Sequence, residues 1–464
     1  MPVAAPRYPL VIGDERVDTP DWFAVHDRAT GEVIAEVAMG RPADVDAAVA
    51  RARAALPAWE ARGPQGRADA LRRYASVLDD HQPEIAATIH REEGKPLAEA
   101  QAEVARACEV VHHFAGEAER LWTMQLPGAT LSTGSIVRPA PIGVVAAITP
   151  WNFPVALVLW KLGPALAAGC CMIVKPAEEA PLAARMLCDL AAEAGLPDGV
   201  VSCITGDGPS IGEALCTHPG VDKVAFTGSR RVAEQIAAWA SPRLKALSLE
   251  LGGHGSLLVL DDADIDGAVE VALVQGFANC GQACYSVNRV LVPRSMEPEF
   301  LDRLRPGIAA LQLGPMATDR GRERHRMLLD DARAKGATVE GGALLDGNYV
   351  EPALVTGAGP GVLLVDEEPF TPVVAVMPYD DLEEAIAEAN RPDYGLVSYV
   401  CGGPQRRTLE VAERIECGTV VVNGWRVVVP YAPYGGWKGS GIGTELGHPG
   451  MEAFIRWQHL RVLA

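Results

Sequence analysis

From Ile142 onward the chain alternates short β-branched runs with helix-forming stretches, and this alternation restricts the possible folds more than any other feature. GVVAAITP runs into LWKLGPALAAG, CMIVKP into PLAARMLCDLAAEAGLP, and VVSCITG is followed by VDKVAFTGS. Such runs lack the polar alternation of a half-exposed strand, so both faces need cover, and the intervening helices supply it. The pattern predicts βαβ units, a parallel sheet and the α/β class. A second region of the same texture opens near Gly253 with HGSLLVLDDADIDGAVEVAL and adds YVEPALV, TPVVAVMPY and GTVVVN as strands. Residues 42–118, rich in Ala, Arg and Glu, read as solvent-facing helices. Thr123 to Pro141 reads as a projecting hairpin which, with IRWQHLRVL near the end, offers edge strands to another subunit.

Bulk properties exclude several functions. At 464 residues, 48% of them hydrophobic, the chain suits two or three domains. A formal charge of -19 repels nucleic acid and anionic membranes. No run approaches the length of a membrane span, and the N-terminus lacks a signal-peptide pattern, so the expected location is cytoplasmic. Ten cysteines without paired CxxC spacing suggest reduced thiols and no metal site, with Cys170 and Cys171 in packed structure.

Six stretches carry chemistry. GFANCGQACYSVNRV places Cys280 and Cys284 four residues apart; a nucleophile, a redox pair, two metal ligands and two small buried residues are all open readings. SLELGGHGS ends a strand on Glu250 before a Gly-Gly pair, suiting a general base or a surface turn. TPWNFP holds Asn152 between prolines, as an oxyanion donor worth about 3–4 kcal/mol or as a helix cap. IVKPAEEAP sets Lys175 and Glu178 at the carboxyl edge of a strand, for a ribose or as a surface ion pair. GDGPSIG, with Gly206, Gly208 and Gly212, departs from GxGxxG by one residue. AFTGSRRVAEQI runs a strand through Gly228 and Ser229 into a helix whose free N–H groups would favour a phosphate; for both, plain turn chemistry is the other reading.

Together, TPWNFP, KPAE, FTGS, ELGG, GQAC, EEPF and PYGGWKGSG occur in the order and spacing of the aldehyde dehydrogenase superfamily, which the chain resembles over nearly its whole length. The resemblance implies a Rossmann-like NAD-binding domain (1–122 and 142–252), an α/β catalytic domain (253–440) and a small β oligomerisation element (123–141 and 441–464). It implies Cys284 as nucleophile, Glu250 as general base 34 residues before it, and Asn152 with the Cys284 N–H as oxyanion hole. Lys175 and Glu178 would hold the adenosine ribose, Gly208, Gly228 and Ser229 the pyrophosphate region, Glu368 and Phe370 the nicotinamide half, and Trp151 the cleft wall. Glu445 matches a proton-relay carboxylate. Phe153, Leu157, Trp160, Tyr285 and Arg426 fall on substrate-channel positions. Thr371, Thr444 and Ala233 stand where the family usually has Gly, Arg and Gly.

The implied reaction is oxidation of a small-molecule aldehyde to its acid. A free thiol is only about 3% thiolate at neutral pH, so attack needs a nearby base or a depressed pKa. A thiohemiacetal then gives a thioester, which water activated by Glu250 hydrolyses. Glu178 would repel a 2′-phosphate, so NAD is expected, with NADP possible. Trp160, where succinate semialdehyde dehydrogenases carry arginine, disfavours that substrate, while Arg426 offers contact to an anionic tail. An NADP-preferring semialdehyde dehydrogenase and a catalytically silent structural protein are the alternatives; the intact Cys284, Glu250 and Asn152 argue against silence. A homodimer or homotetramer is expected.

Overall fold

A computed structural model of the protein describes residues 5–128 and 133–463. Its first large sheet places five parallel strands in the spatial order Ala246–Glu250, Lys223–Thr227, Val144–Ile148, Cys171–Lys175 and Val201–Cys203. Val144–Ile148 comes first in the chain yet lies in the middle, because the chain adds strands on one side and then on the other. A crevice opens beside such a reversal at the carboxyl ends of the strands, where open α/β sheets bind ligands. Antiparallel strands Leu10–Ile12 and Glu15–Val17 extend one side, and Gly441–Ile442 the other.

The second large sheet runs Ala353–Thr356, Val373–Tyr379, Val287–Pro293, Gly255–Val259, Val397–Cys401 and Thr419–Val422, all parallel. Thr338–Gly341 closes one edge antiparallel. Helices Ala156–Ala168 and Ile265–Phe277 cover faces of the two sheets; every residue of the first is buried, which accounts for its unbroken apolar sequence.

A three-stranded antiparallel sheet joins Met124–Pro127, Gly134–Pro141 and Ile455–Val462. The tip of the expected hairpin, 129–132, lies outside the described residues. Ile455–Val462 is an edge strand that exposes Trp457, Leu460 and Val462, with Trp122 stacked at 5.4 Å from Trp457.

One expectation is corrected. The helices Pro42–Ala61, Gly63–Asp80, Gln82–Glu92 and Leu97–Glu119 do not merely face solvent. Each buries a stripe that includes Trp59, Tyr74, Ile89 and Phe114. Leu97–Glu119 packs on Ala156–Ala168, where Gly163 admits the Phe114 ring. Among the described residues no helix is long and apolar enough to cross a membrane.

Candidate active site

The expected residues converge on one crevice from two sheets. Trp151 and Asn152 follow strand Val144–Ile148, Lys175 ends Cys171–Lys175, Gly228 and Ser229 follow Lys223–Thr227, and Glu250 ends Ala246–Glu250. All lie at the carboxyl edge of the first sheet. Cys284, Glu368 and Phe370 come from the amino edge of the second, ahead of Val287–Pro293 and Val373–Tyr379. The chain crosses from one sheet to the other in residues 251–254.

A left-handed turn presents the thiol. Asn279, Cys280 and Gly281 have φ of 50°, 56° and 69°. Such a conformation costs about 1–3 kcal/mol at a non-glycine residue, so the packing around the turn must hold it. Gly281 is required there, since a Cβ would come 2.2 Å from the Thr371 carbonyl oxygen. Beyond the turn Cys284 is partly exposed, whereas Cys280 is buried and directs its sulfur to the Met316 sulfur at 3.6 Å. Among the described residues no group of three or more His, Cys, Asp or Glu is arranged to hold a metal ion.

Asn152 faces the nucleophile loop and does not cap the helix that follows, which has no side-chain cap. Its amide donates to the Gln282 carbonyl at 2.9 Å, and an amide nitrogen carries a second N–H for a developing oxyanion. A buried network that sequence reasoning missed fixes this loop. Lys95 Nζ donates to the Asn152 carbonyl at 2.8 Å and to Glu103 at 2.5 Å, and Asn279 Nδ2 donates to the same carbonyl at 3.0 Å. Glu103 in turn accepts the Val155 and Ala156 N–H groups at 3.1 Å.

Glu250 is buried, not on the surface, and among the described residues no side chain makes a hydrogen bond to either carboxyl oxygen. Burial pushes its pKa well above the usual carboxylate range, and the Glu445 carboxylate adds to this; Lys161 and the nearby Gly436 amide oppose it. Lys161 is itself held by Glu445 and Thr227, each at 2.6 Å. A buried carboxyl with a raised pKa is a stronger proton acceptor than an ordinary carboxylate, which suits a general base.

The residues expected at the cofactor form a second group. Glu178 accepts Lys175 Nζ at 3.0 Å and the Gly208 N–H at 2.5 Å, so the ion pair read from sequence exists but spans a helix N-terminus. A side chain at Gly208 would enter this cradle, 3.3 Å from Glu178. Ser229 opens helix Arg230–Ala240. Glu368, pushed up to about 7 by burial, accepts the Gly253 N–H at 2.9 Å. Phe370, at φ 55°, meets Trp151 edge to face at 5.7 Å. A cation, a carboxylate and two helix N-termini along a crevice fit the ribose and pyrophosphate of a dinucleotide.

Beside the nucleophile loop lies a cavity of about 710 Å³ whose wall includes Phe153, Tyr285 and Arg426. Leu157 and Trp160, also expected in the channel, are not on that wall. Both belong to the buried helix Ala156–Ala168, and Trp160 packs edge-on against Tyr434 at 5.3 Å. Arg106, which the sequence did not single out, lines the same cavity from helix Leu97–Glu119.

The aldehyde dehydrogenase family model matches residues 16–460. The chain belongs to this family. It is 37% identical to a probable NADP(+) succinate-semialdehyde dehydrogenase of Sinorhizobium fredii, over 95% of this chain and 92% of that protein. It is 38% identical to a glutarate-semialdehyde dehydrogenase of Pseudomonas aeruginosa, over 96% and 94%. The crystal structure of succinate-semialdehyde dehydrogenase from Burkholderia pseudomallei superposes with a TM-score of 0.96 at 36% identity, covering 99% of this chain and 98% of that one. This aldehyde dehydrogenase has the family's α/β fold and oxidises an aldehyde with reduction of NAD(P).

Proposed function

We propose that Cys284 is the nucleophile, Asn152 the oxyanion donor and Glu250 the base that activates the hydrolytic water. What carries the reading is the meeting of a partly exposed cysteine, an amide fixed on that cysteine's own loop, and a buried carboxyl to which no side chain among the described residues makes a hydrogen bond. In attack, the Cys284 sulfur bonds to the carbonyl carbon while the π pair moves to oxygen, where the Asn152 N–H and the Cys284 backbone N–H receive it. Lys175, Glu178, Gly208, Gly228 and Ser229 would hold the adenosine and pyrophosphate half of the dinucleotide, and Trp151, Glu368 and Phe370 would border the nicotinamide half. When bound, the nicotinamide would supply the acceptor for the aldehyde hydride. Glu250 then takes a proton from water, the hydroxide adds to the thioester carbonyl, and the acid leaves as the C–S pair returns to sulfur. Glu445 with Lys161 relays the proton onward.

The substrate is an aldehyde with a distal anion. Arg106 and Arg426 reach the same cavity from different elements, and neither makes an ion pair among the described residues. Succinate and glutarate semialdehydes, named for the relatives, both carry such a carboxylate. Glu178 supports NAD over NADP, because a carboxylate there repels a 2′-phosphate. The exposed apolar edge of Ile455–Val462 supports a homodimer or homotetramer. The test is NADH formation from neutral aldehydes and matched carboxylate-bearing ones, in the wild type, Arg106→Ala and Arg426→Ala. Selective loss on the anionic set is expected. Equal losses on both sets, or none, would sink the assignment of the tail.

A further inference from the structure

Among the described residues, the polar side chain within hydrogen-bonding distance of the Cys284 sulfur is not Glu250 but Tyr434, whose hydroxyl lies 3.5 Å from Sγ. Tyr434 belongs to the PYGGWKGSG stretch and is held firmly. Its backbone exchanges two hydrogen bonds of 2.7 Å with Glu445, its ring meets Trp160 at 5.3 Å, and it is almost fully buried. The hydroxyl is therefore delivered to the sulfur by a rigid ring on a rigid strand-like segment.

The electrostatics around the sulfur give this contact weight. The groups that face it are the carboxyls of Glu250 and Glu368 and the phenols of Tyr285, Tyr399 and Tyr434, and none of these is a cation. Burial pushes the thiol up to about 12, and Glu368 and Glu250 push the same way, while the hydrogen bond from Tyr434 is the foremost influence in the opposite direction. Tyr434 keeps its proton, because burial, reinforced by the neighbouring thiol, raises its own pKa well above the usual phenol range. A buried protonated phenol beside a sulfur that must become an anion is a hydrogen-bond donor already in place.

We propose that Tyr434 donates its hydroxyl hydrogen bond to the Cys284 sulfur, stabilising the thiolate that attacks the aldehyde and the sulfur that leaves when the thioester is hydrolysed. This rests on Cys284 being the nucleophile. Tyr434 keeps its proton throughout. The thiol proton passes to solvent water before attack, in which the S–C bond forms and the carbonyl π pair moves to oxygen; in hydrolysis the acyl C–S bond breaks and its pair returns to sulfur, again facing the phenol.

The experiment measures the pH dependence of Cys284 alkylation by iodoacetamide in the full-length protein, with the site verified by peptide mass spectrometry. Tyr434→Phe keeps the ring against Trp160 and removes only the hydroxyl. At every pH below the thiol midpoint its alkylation should be about tenfold slower, a displacement of about one pH unit. Site-specific 3-fluorotyrosine at position 434, a stronger donor, should move the profile the other way, and it remains informative if the Phe variant fails to fold. Profiles that superpose on the wild type in both variants, or that move in the same direction in both, overturn the proposal. Alkylation does not require turnover, so this outcome is separate from that of Cys284→Ala: retained NADH formation there would refute the nucleophile and leave the hydrogen bond standing.

Discussion

Replacing Lys95 with methionine should damage both stability and rate, because one buried ammonium serves two purposes. Lys95 and Glu103 are 1% and 2% exposed and 2.5 Å apart, and the same nitrogen holds the Asn152 carbonyl at 2.8 Å and lies 4.0 Å from the centre of the Phe153 ring. Methionine fills the space but leaves the Glu103 carboxylate with only two backbone N–H groups on one oxygen. Removing one partner of a buried ion pair costs about 3–5 kcal/mol, and most of that is the stranded charge. Urea unfolding of Lys95→Met should therefore lose stability of this order. The added change Glu103→Gln should restore about half of it, because an amide needs no counter-ion. The rate should not recover in step, since the Asn152 carbonyl keeps only its Asn279 donor. A displaced oxyanion donor lowers kcat by up to about a hundredfold. A Lys95→Met protein within about 1 kcal/mol of the wild type and with unchanged kcat would refute the reasoning, since a pair that matters should cost more.

Three further outcomes follow from the site. Glu445→Gln removes a carboxylate that raises the Glu250 pKa, so the ascending limb of the kcat–pH profile should move to lower pH; a limb that stays put or moves to higher pH contradicts the coupling. Cys280→Ala should retain most NADH formation while Cys284→Ala abolishes it, because Cys280 packs against Met316 away from the crevice; the reverse pattern in an absorbance assay would overturn the assignment. Glu178→Ser removes the negative charge beside Gly208, so KM for NADP should fall about tenfold relative to KM for NAD; an unchanged ratio would show that Glu178 does not set the preference.

The sequence made the carboxyl edge of the first sheet legible because Asn152, Lys175 and Ser229 each follow a β-branched run and Glu250 ends a strand-like stretch before Gly-Gly, where topology alone puts them near a crevice. It did not reveal what stands behind them. Glu103 sits in an Ala- and Glu-rich helix, and a buried carboxylate looks like a surface one until its partner is seen; that partner, Lys95, precedes the helix across GKP. The left-handed conformation of Asn279 and Cys280 is equally hidden, since only Gly281 announces a turn. Trp160 is placed in the channel by the resemblance alone; it stands on the helix after Asn152, every residue of which is buried, and its own sequence carries no sign of the Tyr434 ring it meets. Arg106 and Tyr434 come from segments more than 300 residues apart in the chain, and only the fold brings each to the neighbourhood of Cys284.

The passage between the two sheets sets a dimension that none of the reacting groups controls. Glu250 closes a strand of one sheet and Gly255 opens a strand of the other, so four residues bridge the crevice at the point where carboxyl and thiol confront each other. A Cβ on Gly252 would stand 2.2 Å from Glu368, and one on Gly253 would stand 2.2 Å from the Cys284 carbonyl oxygen. The separation of the two sheets between Glu250 and Cys284 is thus gauged by two absent side chains: a methyl group on Gly253 would meet backbone and wedge the walls apart, while one on Gly252 would push the Glu368 carboxylate aside.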